Sequence, residues 1–350
     1  MTIDARGHHK KRQTMRAVGF RSYGPPEVLE ELEVARPEPE PGEVLIRVAA
    51  AGVNPADWAL RGGRLRPFVR LGLPFVSGSD AAGIVEATGS GVSRFVPGDA
   101  VFAMTPTARG GAYAEYVAVG ADNVAPAPSG VSLGEAAAVP LVSLTALQAL
   151  RDRAELAAGE HVLIHGASGG VGTFTVQIAK AMGARVTATC SGRNIELVSG
   201  LGADEVIDYA AEDAVPAKPR YNVVFGAVNT LSVLRWRRAL RPRGRIVTVN
   251  PLFENGVLGR LVRSVGRVPL EGVVVRPSGA DLAIVGSWIS VGKVGPIIDR
   301  SYPLVAAADA HRYSESRRVR GKLVLVVDER LASARAGSVS PGESSGGTAA

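Results

Sequence analysis

A single cysteine, Cys190, stands in a chain of 350 residues. One thiol forms no internal disulfide and supplies no multi-cysteine structural zinc site. The redox compartment is left open, with the cytoplasm as the expectation. Long apolar runs are missing as well. None approaches the roughly 20 residues that cross a bilayer, so no membrane partner is expected. The first residues are polar and basic with no apolar stretch behind the charges, which argues against a secretory signal. Aromatic residues make up 5% of the chain. They are not interleaved with the basic clusters His8-His9-Lys10-Lys11-Arg12 and 260–276. The net charge of +7 therefore lacks a base-stacking platform, and no nucleic-acid partner is expected. Most of these charges read as solvated surface, and a phosphorylated cofactor adds a need for positive potential.

Hydrophobic residues are 46% of the chain, enough for two domains with real cores. The densest signal is Gly166-Ala167-Ser168-Gly169-Gly170-Val171-Gly172. It follows the apolar run Val162-Leu163-Ile164, a buried strand, and precedes the helical pattern Thr173–Met182. A strand, a glycine turn and a helix bring free backbone N–H groups and a positive dipole end to one point. A pyrophosphate fits there, because the missing side chains let it approach the backbone. The reading is a dinucleotide site.

The next strand, Arg185–Cys190, names the cofactor by what it lacks. An NAD site places Asp or Glu at this strand's end, about twenty residues after the glycines, to accept from ribose hydroxyls. This strand ends in Cys190-Ser191-Gly192-Arg193, and no carboxylate follows until Glu196. The Ser191 hydroxyl and the Arg193 guanidinium suit a 2′-phosphate. NADPH is the expected cofactor. Val249 and Asn250 follow the strand Gly244–Val249, beyond the carboxyl end of a parallel sheet, and are expected to line the nicotinamide end.

The organisation is α/β. Residues 1–14 lack apolar periodicity and read as a disordered extension. From 15 to 131 short β-type runs alternate with Pro-Gly, Gly-Asp and Gly-Gly turns, which predicts a small barrel. From 132 to 277 strands and helices alternate, which predicts a doubly wound parallel sheet. Residues 278–328 end in the strand Lys322–Val327 and are expected to return to the barrel. Residues 329–350, rich in Ala, Ser and Gly, read as a flexible tail. Trp58, Leu65 and Phe68 are candidates for an apolar wall facing a flat substrate, and Tyr113 and Tyr116 read as barrel packing.

Several phrases together resemble one family. They are Ala51-Gly52-Val53-Asn54-Pro55-Ala56-Asp57-Trp58, Gly78-Ser79-Asp80, Phe95-Val96-Pro97-Gly98-Asp99, Pro140-Leu141-Val142-Ser143-Leu144-Thr145 and Leu201-Gly202-Ala203-Asp204-Glu205-Val206-Ile207-Asp208-Tyr209. With the stretch from Gly159 to Lys180 they make the chain similar to the zinc-independent, quinone oxidoreductase (zeta-crystallin-like) type of medium-chain dehydrogenase/reductase. The resemblance implies a GroES-like barrel domain beside a Rossmann domain, with the active site between them. It implies NADPH reduction of quinones or of α,β-unsaturated carbonyl compounds. Thr145 then meets the nicotinamide side, Ser191, Arg193 and Tyr209 the 2′-phosphate and adenosine, and Asn54 and Asp57 the substrate. Asn54 is a candidate donor to a developing oxyanion, and Asp57 orients its loop. Lys322 matches a position with a cofactor or structural role.

Zinc-dependent relatives place Cys and His where this chain has Asn54 and Ser79. Beyond the N-terminal tail the only histidines are His161, His165 and His311, too few and too scattered for a catalytic zinc with about three protein ligands. No metal is expected. Two other readings stay open: a reductase of enoyl thioesters or secondary metabolites, and an NADPH-binding interaction protein without turnover. A homodimer joined through a sheet edge near Gly272–Val275 is a further expectation.

Overall fold

The computed structural model of the chain describes residues 13–228, 233–249 and 270–336. The first domain opens with β1 (Thr14–Phe20), β2 (Glu30–Ala35), the long β3 (Glu43–Val53) and the short helix α1 (Pro55–Arg61). It continues through β4 (Phe75–Val76), β5 (Asp80–Thr88), β6 (Ala100–Met104), β7 (Tyr116–Gly120) and β8 (Val124–Pro126). Turn glycines hold positive φ between these strands, for example Gly78 (φ 91) and Gly98 (φ 99), a conformation that side chains other than Gly rarely take.

The second domain starts with α2 (Leu133–Ala136) and α3 (Pro140–Gln148). A capping box opens α2: Ser132 N donates to Glu135 Oε2 at 2.7 Å, and Glu135 N donates to Ser132 Oγ at 3.2 Å. Pro140 at the first helical position starts α3. Then come β9 (His161–His165), α4 (Gly170–Ala181), β10 (Arg185–Cys190), α5 (Ile195–Gly200), β11 (Glu205–Asp208), β12 (Tyr221–Gly226), α6 (Val233–Trp236), β13 (Leu240–Thr248) and β14 (Leu270–Gly272). The strand order is β11-β10-β9-β12-β13-β14, all parallel. This is the 3-2-1-4-5-6 order of a dinucleotide-binding sheet, with its switch point between β9 and β12. Val162, Leu163 and Ile164 are fully buried, as a strand covered by helices on both faces requires.

The chain then returns. α7 (Gly279–Ser290) is followed by β15 (Ile298–Pro303), α8 (Ala307–Glu315), β16 (Lys322–Val326) and α9 (Glu329–Ser333). β16 pairs antiparallel with β3, from Leu323 opposite Val53 to Val326 opposite Ala50, and completes the sheet β15-β16-β3-β5-β6-β8. The late segment thus joins the sheet of β3 and β5.

Two boundaries and one side chain differ from the sequence reading. β13 begins at Leu240 rather than Gly244, because Leu240 pairs with Tyr221 across a register shift. Residues 329–336 are not tail: Asp328 caps α9, and Leu331 and Ala332 are buried. Phe68 is 76% exposed and forms no wall. Residues 1–12 and Asn250 lie outside the described residues.

Close packing at the end of β3 sets where the site sits. A Cβ on Gly52 would lie 2.5 Å from Ala137 O and 2.9 Å from Asp80 Oδ2. Gly52→Ala is expected to cost about 1–3 kcal/mol of stability by overpacking, read from urea unfolding. An unchanged midpoint would contradict this packing.

Candidate active site

The glycine turn has the form its sequence predicts. Gly166 leaves β9 with φ 82, and a Cβ there would lie 2.8 Å from Val228 Cγ1. A Cβ on Gly172 would lie 2.2 Å from Gly166 O, so only Gly lets α4 pack this closely on the turn. Ala167 is fully buried beneath it. At Gly169 an added Cβ would meet nothing nearer than Gly166 O at 3.9 Å, so open space faces the backbone here. Gly169 also brings no side chain to cap α4. The Gly170 amide faces Gly321 O across the parallel bridge between Gly169 and Gly321, and the first-turn amides of Val171 and Gly172 are left for a ligand. These features fit a pyrophosphate.

Around the end of β10 the residues gather as expected, with additions. Arg193 is exposed, and its Nη2 donates to Arg318 O at 3.4 Å. That contact brings the basic segment 317–320 to the same strand end. Tyr209, 56% exposed, donates its N–H to Cys190 O at 3.2 Å. Buried Asn194 donates from Nδ2 to Ser168 Oγ at 3.0 Å and to Ser191 Oγ at 3.2 Å. Its Oδ1 has no partner among the described residues. Asp208 also stands here: its Oδ2 lies 2.6 Å from where a Cβ on Gly192 would be. Sequence reasoning looked for a carboxylate only on β10 and missed one supplied by β11.

Two residues lie toward the other end of the crevice. Thr145 is 5% exposed, and its Oγ1 donates to Leu141 O at 2.7 Å inside α3. That leaves only its lone pairs for a ligand. Val249 follows β13 and donates its N–H to Gly226 O at 3.1 Å, at the carboxyl ends of β12 and β13.

Where α3, the glycine turn and the barrel meet there is a buried polar cluster. Asn54 and Asp80 are fully buried, and Asp57 and Lys322 are each 3% exposed. Lys322 Nζ donates to Val53 O at 2.8 Å and to Asn54 Oδ1 at 2.5 Å, and it lies 3.5 Å from Asp80 Oδ2. Asn54 Nδ2 donates to Asp80 Oδ2 at 2.9 Å, and Leu141 N donates to Asp80 Oδ1 at 2.9 Å. Asp80 thus ties the barrel to the start of α3. Burial pushes the Asp80 carboxyl up against the pull of Lys322, and burial pushes the Lys322 ammonium down against the pull of Asp80.

Asp57 orients the loop. Its Oδ2 accepts from Asn54 N at 2.8 Å, and its Oδ1 accepts from Ser79 Oγ at 3.3 Å. Burial, and then the nearby Asp80, raise its pKa to about 7. From Asp57 a second chain runs away from the crevice. Arg61 Nη1 faces His311 Nδ1 at 3.2 Å, His311 Nε2 faces the Tyr113 hydroxyl at 3.1 Å, and that hydroxyl faces Asp57 Oδ2 at 3.3 Å. A guanidinium can only donate. His311 is therefore neutral with its hydrogen on Nε2, and Tyr113 donates to Asp57. Burial, then the Arg61 charge, hold His311 down to about 3. Arg61 is itself anchored on Glu315 and on Gly24 O. Tyr113 is thus not mere packing.

Asp80, Arg61 and His311 were not singled out in the sequence as site residues. The Gly78-Ser79-Asp80 phrase was a usable signal for the first, whereas nothing local marks the other two. Among the described residues, no three side chains of His, Cys, Asp or Glu gather as metal ligands. No described helix is long and apolar enough to cross a membrane.

Comparison with known proteins agrees with this geometry. The family described as Alcohol dehydrogenase GroES-like domain matches residues 40–129, and that described as Zinc-binding dehydrogenase matches 201–325. The chain is 34% identical over 323 residues to the chloroplast envelope quinone oxidoreductase homolog of Arabidopsis thaliana, covering 89% of this chain and 98% of that protein. It is 33% identical over 324 residues to the NADPH-dependent alkenal/one oxidoreductase, chloroplastic, of the same plant, covering 89% of this chain and 79% of the other. The solved structure of the quinone oxidoreductase from Coxiella burnetii superposes with a TM-score of 0.81 at 32% identity, covering 90% of this chain and all of that one.

The neutral His311 has a pH signature. An unfolded His protonates near 6.5, whereas in the fold the ring stays neutral down to about 3. Its contribution to stability is therefore present above pH 6.5 and is lost as the pH falls through that window. Asp57, raised in the fold, has the opposite slope, so the comparison must be with a variant. The stability advantage of the wild type over His311→Gln is expected to shrink by about 2 kcal/mol between pH 7 and pH 5, measured by urea unfolding. An advantage that stays constant or grows would show His311 charged in the fold.

Proposed function

The chain belongs to the quinone oxidoreductase family of medium-chain dehydrogenases/reductases, and on that premise we propose that it transfers hydride from NADPH to a quinone or an α,β-unsaturated carbonyl compound without a metal ion. The observation that carries this reading is the ammonium of Lys322 beside Asn54 and Asp80. A zinc ion at this corner would need anionic or imidazole ligands. The donor set here is an amide, a hydroxyl and two carboxylates, Asp80 already facing an ammonium and Asp57 already taken by Asn54 N, Ser79 and Tyr113. That set does not fit zinc.

When bound, the cofactor supplies the hydride. The chain's own residues bind and orient it and stabilise the charge that develops. The open backbone at Gly169 and the uncapped first turn of α4 take the pyrophosphate. Ser191 and Arg193, with Tyr209 beside them, suit a 2′-phosphate. Asp208 near Gly192 adds a carboxylate for the one hydroxyl left on that ribose.

Reduction of a conjugated carbon or a quinone places negative charge on an oxygen remote from the hydride. One or two hydrogen-bond donors suffice to stabilise it. Asn54 is the donor proposed, since one of its two amide hydrogens is used by Asp80 and the other is not. The proton that completes the reduction comes from water. Asp57, whose pKa is raised, is turned toward Tyr113, Ser79 and the Asn54 backbone rather than toward a ligand. The names of the Arabidopsis and Coxiella relatives support the quinone and alkenal classes of acceptor.

Steady-state oxidation of NADPH and NADH against a small quinone and an enone tests the proposal. NADPH is expected to be preferred, and Arg193→Ala to raise KM for NADPH by about 10- to 100-fold while leaving that for NADH unchanged. Dialysis against a chelator is expected to leave the rate unchanged. Equal use of both nucleotides would overturn the NADPH assignment, and loss of activity on chelation would overturn the metal-free reading.

A further inference from the structure

An ammonium carries three hydrogens and no lone pair. At Lys322 there are three acceptors within reach: Val53 O at 2.8 Å, Asn54 Oδ1 at 2.5 Å and Asp80 Oδ2 at 3.5 Å. Nothing remains for a pyrophosphate or a ribose. The lysine nevertheless touches the coenzyme turn, through its stem: a Cβ on Gly170 would lie 3.0 Å from Lys322 Cδ. The residue before it holds the same turn, with Gly321 N donating to Ser168 O at 2.9 Å. One side chain therefore runs from beneath the glycine turn to the amide of Asn54.

The consequence falls on Asn54. An Asn amide has two orientations that differ by exchange of its oxygen and nitrogen. Lys322 can only donate, so the oxygen must face it; a carboxylate at Asp80 accepts, so the nitrogen must face that. Reversal would set an NH₂ group against an ammonium and an oxygen against a carboxylate. We propose that Lys322 is a positioning residue, which fixes the Asn54 amide so that its second N–H is held ready for the acceptor's oxygen, and that it acts on turnover rather than on coenzyme affinity. This rests on the reading of Asn54 as the oxyanion donor. Of the cofactor and structural roles expected at Lys322, it takes the structural one.

Lys322→Met removes the charge and keeps the stem against Gly170. It is expected to lower kcat with a quinone acceptor by about 100-fold, the cost of a misplaced catalytic donor, and to leave NADPH affinity, titrated by nucleotide fluorescence, within about 3-fold. Adding Lys322→Met to Asn54→Ala is expected to cost little beyond Asn54→Ala alone, since each acts through the same group. Lys322→Met with Asp80→Asn leaves no unpaired buried charge, and serves if the single variant does not fold.

A second readout needs no turnover. The Asn54 side-chain amide resonance, identified by its loss in Asn54→Ala, is expected to shift in the Lys322→Met protein. If wild-type protein oxidises NADPH with neither acceptor, the functional reading falls while this spectroscopic test still decides the positioning. An unmoved Asn54 resonance overturns the proposal. So does NADPH affinity weakened about 10-fold or more at unchanged kcat, which would make Lys322 a coenzyme ligand.

Discussion

The buried positive charge of Lys322 is the constraint on which this structure turns. An ammonium this far from water is tolerated only when every hydrogen finds an acceptor. Its acceptors come from the end of β3, from the residue that begins α1's loop and from the start of β5. Asp80, in turn, is satisfied by Leu141 N of α3. One charge therefore draws together the barrel, the returning strand β16 and the first long helix of the coenzyme domain. Position and chemistry are not separable here: a substitution that loosens the packing also disorders the donors.

The coenzyme domain was legible because its rules are local. Parallel strands covered on both faces must be apolar throughout, and a glycine turn between such a strand and a helix has few other uses. The observed strand order follows from that pattern and from right-handed crossovers. The barrel was legible only as a class. Its strands are short, its bulges shift the register, and α9 lay hidden in a segment whose composition resembles a tail.

The polar cluster was the hardest part to read, because it is assembled from residues 54 and 57 at the start of α1 and residues 80, 113, 311 and 322 far from them in the chain. Tyr113 looked like packing because its ring is packing; its hydroxyl alone carries the polar role. His311 sat in a polar stretch, yet it lies on the buried side of α8. Its partner Arg61 is anchored in turn by Glu315, one turn further along that helix. Asp57 was read as a turn former and does cap the loop of Asn54, but its raised pKa comes from burial first and then from Asp80, which no local pattern reveals. Only the tertiary fold makes neighbours of these groups.

The pairing of β16 with β3 bears on how the protein is made. Lys322 and Val53 are 269 residues apart in the chain. On the ribosome, the Ala50–Val53 half of β3 is synthesised early and waits as an open edge until the entire second domain has followed it. At the usual pace of translation that wait is on the order of tens of seconds. That edge stays unpaired through this interval, and the ribosome finishes the coenzyme domain before the barrel closes.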